Sequence, residues 1–213
     1  MMETMIADTF NILKRHNWLI WNLFLATIPL LLSVLLFRWK NDSRPWFWWV
    51  ILVVFIAFLP NAPYLLTDII HLIQITRSEA SIWRVTLLLI PLYVSAFLFG
   101  IEAYTISLIN QGYYLAKQGA KKWIIPAEFL VHFLCAIGIF VGRFRRYNSW
   151  DLVTQPHVVM VGTLDDLTSK RPLLIMVITF VIISVTYLIM KQVTLGLILQ
   201  FRYLYRQFKD PEP

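Results

Sequence analysis

A carboxylic acid and an imidazole lie one helical turn apart in an otherwise apolar stretch of this sequence. In a helix, Tyr64, Asp68 and His71 occupy positions i, i+4 and i+7 and form one polar stripe, which Thr67 flanks. Ionisable side chains inside a membrane are usually paired and functional, so Asp68 and His71 are candidate catalytic residues for proton transfer or metal ligation. The alternative is an interfacial helix, capped by Asn61, whose Asp68 and His71 face water.

A second polar cluster follows the fourth apolar run and is rich in arginine. Guanidinium forks match phosphate oxygens, so the cluster fits a lipid phosphate or a phosphorylated substrate. The alternative is a topology signal whose arginines reach the lipid headgroups. Further along, Asp165 and Asp166 are interpreted as a solvated acidic pair or as a divalent-metal contact. The candidate binding residues are Asn61, Tyr64, Arg143, Arg145, Arg146, Asn148, Trp150 and Asp151.

Three ionisable residues lie inside apolar runs. Glu102 shares a helical face with Ser95, and we expect it to be protonated or to meet a cation or a hydrogen-bond donor. Glu128 and His132 are four residues apart and fit a shared metal ion, a shared proton or a polar contact between helices. Cys135, the only cysteine, cannot form an intramolecular disulfide and is interpreted as a small buried hydrophobe.

The elements that position these residues are membrane spans. Hydrophobic residues make up 59% of the 213-residue chain and charged residues 15%. A bilayer core about 30 Å thick needs about 20 helical residues, so the apolar runs predict an all-α, polytopic transmembrane helix bundle with about five spans, in a single domain over residues 1–213. The predicted spans are Trp18–Phe37, Trp46–Leu59, Ile82–Leu108, Trp123–Val141 and Pro172–Met190.

The connection after the second span is apolar but interrupted by prolines. The second span covers only about 21 Å, so it forms a broken helix with Pro60–Thr76, or else Pro60–Thr76 re-enters the bilayer. A sixth crossing, by Tyr64–Thr76, would place the later loops on the opposite side of the membrane. Short interfacial helices are predicted to start at Ser149 and Thr163, and another to cover Thr194–Phe208.

The basic residues mostly lie between the apolar runs. The formal net charge is +7, and this placement indicates contacts with lipid headgroups and argues against nucleic-acid binding. The Arg143–Arg146 cluster favours a cytoplasmic loop and N terminus. No small-residue cleavage site follows the first run, so we expect an uncleaved span. The sequence has no glycine-rich phosphate loop and no GxSxG or HExxH motif.

Two stretches resemble a bacterial family of multi-span membrane proteins. They are FLPNAPYLLTD with His71-Leu72, and GRF with the Asn148-Ser-Trp-Asp151 run, in the same order and spacing. The family is catalogued as domain of unknown function 1361. The resemblance implies a multi-pass protein of the bacterial cytoplasmic membrane, and it brings no activity, substrate or cofactor. The matched residues are Asn61, Pro63, Tyr64, Asp68, His71, Arg143, Asn148, Trp150 and Asp151.

Three functions follow as hypotheses. The first is a site, enzymatic or not, that binds a lipid headgroup or another anionic ligand at the membrane interface, and it needs the Asp68 and Arg143 regions to meet. Both follow even-numbered spans and therefore emerge on one face. The second is a small transporter or ion-coupled carrier, lined by the broken helix and Glu102, which needs a homo-oligomer at this size. The third is a membrane scaffold or accessory subunit. The sequence does not identify a metal ion or a cofactor.

Overall fold

The regular elements of the computed structural model are all helices over the residues that it describes, which are 17–39, 44–78, 81–147 and 151–209. The α-helices are α1 (Asn17–Phe37), α2 (Trp46–Phe58), α3 (Asn61–Tyr64), α4 (Ile69–Ser78), α5 (Ile82–Arg84), α6 (Ile90–Lys117), α7 (Ile124–Phe144), α8 (Asp151–Thr154), α9 (Pro156–Thr168) and α10 (Lys170–Lys209). Two 3₁₀ segments, Leu65–Asp68 and Lys121–Trp123, and one π-helical segment, Val85–Leu89, join them. The predicted all-α fold is confirmed.

Five helical stretches are long and apolar enough to cross a membrane, and they occur in the predicted order. The second stretch contains α2, α3, the 3₁₀ segment and α4, and the third contains α5, the π segment and α6. The chain is therefore a multi-pass membrane protein. That residues 1–213 form one domain stays a prediction. The five stretches are Asn17–Phe37, Trp46–Arg77, Ile82–Lys117, Lys121–Phe144 and Lys170–Lys209.

The third span runs past its predicted end at Leu108 to Lys117. A left-handed glycine stops it, because Gly119 has φ 74° and its amide donates to the carbonyl of Ala116 at 3.1 Å. The amide of Ala120 donates to the carbonyl of Leu115 at 2.9 Å. These two bonds form a Schellman motif, in which glycine avoids the strain that a side chain would bring.

The fifth span is also longer than predicted. The predicted end is Met190, but α10 is 40 residues long and ends at Lys209. The segment Thr194–Phe208, predicted as an interfacial helix of its own, extends α10 without a break. No proline lies between Pro172 and Lys209, so the helical hydrogen bonds continue to the end of α10.

The second span is a broken helix, which was one of the two alternatives that the sequence left open. Pro60 and Pro63 have no amide hydrogen, so the backbone after Phe58 loses two helical donors. Other bonds replace the regular pattern: the amide of Ala62 donates to the carbonyl of Leu59 at 3.2 Å, and the amide of Tyr64 to that of Pro60 at 3.0 Å. The chain tightens into the 3₁₀ segment before α4 begins.

Two glycines on neighbouring helices enclose this break. A Cβ atom at Gly100 of α6 would lie 2.6 Å from the carbonyl oxygen of Ala62, and one at Gly138 of α7 would lie 2.7 Å from Cγ of Pro60. Irregular backbone is tolerated at membrane depth only where protein or water covers it, and small residues permit the close approach. The break is therefore held between α6 and α7.

The core lies where α1 packs against α6 and the second span. Leu19 and Ala26 of α1, Phe55 of α2, and Tyr104 and Leu108 of α6 are all buried. At the Phe37 end of α1, polar residues add a second link: Arg38 Nε donates to Asn110 Oδ1 at 2.7 Å, and Asn110 Nδ2 donates to Ser33 Oγ at 2.9 Å. At the other end of α1, the Trp18 ring lies 4.6 Å from that of His71, so the start of α1 lies next to the broken part of the second span.

Candidate functional site at the broken helix

Asp68 lies at the centre of the candidate site, and its side chain is 0% exposed. Arg143 of α7 donates from Nη2 to Asp68 Oδ1 at 2.7 Å, and Asn22 of α1 donates from Nδ2 to Asp68 Oδ2 at 3.1 Å. Both oxygens of the carboxylate therefore have donors, which a buried charge requires. The stretches around Asp68 and Arg143, which the headgroup hypothesis needs together, are in direct contact.

Arg143 uses the rest of its guanidinium group on the same part of the second span. Its Nε donates to Thr67 Oγ1 at 3.1 Å, and its Nη1 lies 3.1 Å from His71 Nε2. Because arginine can only donate, Nε2 of His71 accepts, and the imidazole carries its proton on Nδ1. The Arg143 Cζ atom lies 4.9 Å from the ring centre of Tyr64, and the Trp18 ring lies 4.6 Å from that of His71. We call these residues (Asn22, Tyr64, Thr67, Asp68, His71 and Arg143) the Asp68 cluster.

A cavity of about 630 Å³ lies next to the Asp68 cluster, between α1, the second span, α7 and α9. Leu134, Gly138 and Gly142 line it along one face of α7, over about 12 Å of helix. Apolar residues line the Leu134 end, and polar residues lie nearer the end of α7. Two residues of the Asp68 cluster, Asn22 and Tyr64, belong to the wall. The polar lining residues are Asn22, Asn61, Tyr64, Arg146, Tyr147 and Thr163.

The three arginines that the sequence grouped have three different environments. Arg143 belongs to the Asp68 cluster. Arg145 donates from Nε and Nη2 to the two carboxylate oxygens of Asp166 in α9, at 2.8 and 2.7 Å. This hydrogen bonding to Asp166 raises the pKa of Arg145 above its usual value. Asp166 is buried, so it is a structural partner of Arg145 and not a solvated residue.

Arg146 is the arginine that lines the cavity. Its side chain is exposed, and its guanidinium makes no ion pair or hydrogen bond with any residue that the structure describes. Its backbone has φ 59°, a left-handed conformation that is uncommon for a residue other than glycine. Such backbone strain concentrates at binding and active sites.

The remaining predicted binding residues are less central. Asn61 lines the cavity, and its Nδ2 donates to the carbonyl of Phe58 at 2.9 Å. Its amide therefore binds the end of α2. The N-cap residue of α3 is Pro60 and not Asn61, so the predicted capping by Asn61 is wrong. Asp151 begins the one-turn helix α8, where its carbonyl accepts from the amide of Gln155 at 2.8 Å. Asn148 and Trp150 lie outside the described residues.

The intramembrane acids have partners from α10. Glu128 Oε1 accepts from Tyr187 Oη at 2.6 Å and from Lys191 Nζ at 2.5 Å. His132 Nδ1 lies 2.6 Å from Tyr104 Oη, and the Thr194 hydroxyl lies 2.9 and 3.0 Å from the two oxygens of Glu102. Within the described residues, no group of three histidine, cysteine, aspartate or glutamate side chains is arranged to hold a metal ion.

The sequence predicted the acidic residue at the centre of each cluster but not the residues that bind it. Asn22 lies inside the first predicted span and was not singled out. A carboxamide inside an apolar span indicates a polar partner on a neighbouring helix. Lys191 was counted as a loop residue, because the predicted fifth span ended at Met190. Tyr187 and Thr194 lie seven residues apart on α10, and no pattern in the sequence connects them to Glu128 or Glu102.

Comparison with known proteins gives one match. No curated protein and no solved structure matches the chain. The family described as Protein of unknown function (DUF1361) matches residues 21–185. This range contains both sequence motifs, the Asp68 cluster and every lining residue of the cavity. The chain belongs to this family of proteins of unknown function.

Proposed function

We propose that the cavity binds an anionic lipid or lipid-linked molecule, with the headgroup near Arg146 and the apolar chain along α7. The observation that supports this is the distribution of the lining residues. Those beside Leu134 are apolar, whereas the lining at the end of α7 includes the polar side chains of Arg146, Tyr147 and Thr163 next to apolar residues of α9. A volume of about 630 Å³ is in the range of ligand sites in proteins, about 300–1,000 Å³. Such an amphipathic wall matches a ligand with one charged end.

Arg146 supplies the positive charge for the headgroup. Arg143 and Arg145 are bound to Asp68 and Asp166, whereas the Arg146 guanidinium has no such partner among the described residues. A guanidinium offers donors in a planar fork that matches two phosphate oxygens. Asn22 and Thr163 add neutral polar groups to the same wall.

The Asp68 cluster positions this wall and does not contact the ligand in our proposal. Asp68 is fully buried, and neither Asp68 nor His71 lines the cavity. Arg143 neutralises the carboxylate of Asp68, which would otherwise repel an anionic headgroup at close range. The cluster holds two wall residues, Asn22 through its carboxamide and Tyr64 through its ring. We therefore propose binding rather than catalysis as the function of this site.

A binding experiment tests the role of Arg146. Native mass spectrometry of the purified protein in detergent would measure the affinity for dioleoylphosphatidylglycerol, with dioleoylphosphatidylcholine and glycerol 3-phosphate as comparisons. Asparagine tolerates left-handed backbone, so Arg146→Asn removes the charge without added strain. We expect it to weaken phosphatidylglycerol binding about 10- to 100-fold, because a hydrogen bond to a charged group is worth about 1.5–3 kcal/mol.

Lys122→Asn is the matched control, because it removes an exposed cation from the connection between α6 and α7. It should leave the affinity unchanged. Glycerol 3-phosphate should bind far more weakly than the lipid if the apolar wall contributes. Equal affinity of the unmutated protein for both lipids, or an unchanged affinity in Arg146→Asn, would contradict the proposal.

A carrier is the second candidate, and the break in the second span favours it. Interrupted helices with polar residues at the break mark the substrate sites of many transporters. Fluorescent phosphatidylglycerol in proteoliposomes separates the two functions: a carrier accelerates movement between the leaflets, and a binding site alone does not. The Arg143–Arg146 cluster supports a cytoplasmic position for this end of the bundle, in the cytoplasmic membrane of a bacterium.

A further inference from the structure

The last third of α10 leaves the bundle. Over Met176–Thr194, one stripe of α10 packs against α6 and α7, and Met176, Ile183, Tyr187 and Thr194 are buried. The same stripe continues at alternating intervals of three and four residues into Leu197, Phe201, Leu204 and Phe208. These four side chains are 38–84% exposed. The apolar stripe therefore runs on for about three turns beyond the helices that cover its first part.

The opposite side of this segment is basic. Arg202, Arg206 and Lys209 follow one another at i, i+4 and i+7, on the side of the helix away from Leu204. Tyr203 and Tyr205 lie between the basic and the apolar sides, one on each boundary. Tyrosines at such boundaries are typical of helices in the headgroup layer, where the ring is half in hydrocarbon and half in water.

The length of α10 places this segment outside the hydrocarbon core. Its 40 residues extend about 60 Å, which is twice what a crossing requires. Apart from Gln192, the side of α10 that faces away from the bundle is apolar from Leu174 to Leu199, and it carries arginine from Arg202 onward. The apolar stripe beyond Thr194 therefore needs a cover that also accommodates cations.

We propose that Leu197–Lys209 lies in the headgroup layer of an anionic membrane, with Leu197, Phe201, Leu204 and Phe208 towards the acyl chains. Charge decides between this surface and a second copy of the chain. No acidic residue lies between Lys191 and Lys209, so a second copy that packs through the same segment brings only more cations to it. Anionic headgroups attract all three basic residues. Gly196, a weaker helix former than alanine, lies where α10 would bend to follow the surface.

Site-directed fluorescence in vesicles tests the orientation. The full chain with Cys135→Ser would carry a single cysteine at position 204 or 206, labelled with bimane, in vesicles of phosphatidylglycerol and phosphatidylcholine. Lipids with a nitroxide on the acyl chain should quench the probe in Leu204→Cys and leave the probe in Arg206→Cys unquenched. In vesicles of phosphatidylcholine alone, the quenching at position 204 should fall.

Charge removal tests the role of the cations. Adding Arg202→Gln and Arg206→Gln to Leu204→Cys should weaken the surface association by about fivefold per arginine, the equivalent of ~1 kcal/mol per basic residue. Lys121→Gln with Lys122→Gln removes the same charge elsewhere and should leave the quenching unchanged. Equal quenching at positions 204 and 206, or none at either, would overturn the proposal. A disulfide between copies at position 204 would also overturn it, because a second copy would then cover the stripe.

Discussion

Two buried ion pairs among the described residues join helices of this bundle, and their surroundings differ. The Asp68–Arg143 pair links the irregular backbone of the second span to the end of α7, and the Glu128–Lys191 pair links two regular helices, α7 and α10. The Asp68 side chain is 0% exposed, and that of Glu128 is 10% exposed. Asp68 has donors from two other elements, and Glu128 receives both of its donors from α10 alone.

The difference shows what separates a candidate site from a structural contact. Asn22 and Tyr64 of the Asp68 cluster line the cavity, and no partner of Glu128 does. A buried acid in a membrane protein needs a partner whether or not it has a function. What marks the Asp68 cluster is the cavity beside it and the broken backbone that forms part of its wall.

The largest expected effect comes from removing the cation of each pair. Arg143→Met leaves the fully buried Asp68 with Asn22 alone, and we expect a loss of about 3–5 kcal/mol of stability, as for other broken buried pairs. Lys191→Met leaves Glu128 with Tyr187 and some access to solvent, so a loss of about 1–3 kcal/mol is expected.

The chain has a built-in reporter for this measurement. Cys135 is its only cysteine and is 1% exposed, so a thiol-reactive dye reports unfolding during heating in detergent. The unfolding temperature should fall further for Arg143→Met than for Lys191→Met. Equal shifts for the two variants would mean that the Asp68 cluster is an ordinary interhelical contact.

The second prediction concerns the packing around the break. In Gly100→Ala, the new methyl group would lie 2.6 Å from the backbone oxygen of Ala62, which cannot move without shifting the break. We expect a loss of about 1–3 kcal/mol from overpacking. The same thiol assay measures it.

Gly112→Ala on the same helix is the matched control. Its added Cβ would lie 3.4 Å from Ile124 Cγ2, and the change improves helix propensity by about 1 kcal/mol. It should therefore be neutral or stabilising. A loss of stability in Gly112→Ala as large as that in Gly100→Ala would show that α6 tolerates no added methyl group, and that the break is not special.

The sequence predicted the spans and the centre of the site because these depend on local patterns. Apolar runs of bilayer length predict crossing helices. The stripe of Tyr64, Asp68 and His71 covers only about two helical turns, so it can be recognised from neighbouring residues alone. The prolines at positions 60 and 63 predicted an interruption in the same way. These features needed no knowledge of which helices are neighbours.

The partners could not be predicted because they depend on packing between distant parts of the chain. Asn22 and Asp68 are 46 residues apart, and Glu102 and Thr194 are 92 apart. Arg143, Arg145 and Arg146 looked equivalent in sequence, but the left-handed turn at Arg146 directs the last of them to the cavity. The number of residues between the end of α7 and an arginine does not determine where the side chain of that arginine points.

The smallest expected effect comes from a third ion pair, Asp166–Arg145, which holds a wall of the cavity and not the bundle. Arg145 binds Asp166 of α9, and Val159, Met160 and Thr163 of the same helix line the cavity. Arg145 is 45% exposed, and the amide of glutamine can still donate to Asp166, so Arg145→Gln should lower the unfolding temperature less than Lys191→Met does. Amide hydrogen exchange in α9 should nevertheless become faster, because the connection of the helix to the end of α7 is weakened.

A loosened α9 should also weaken phosphatidylglycerol binding, by a smaller factor than Arg146→Asn does, since the cavity loses part of its fixed wall but keeps its cation. Asp166→Asn is the paired variant and should give the same two changes, because it removes the same contact from the other side. If either variant lowered the unfolding temperature as much as Arg143→Met, the contrast between a pair that holds the bundle and a pair that holds the wall would be lost. If neither changed exchange in α9, Asp166 would have no role in holding that wall.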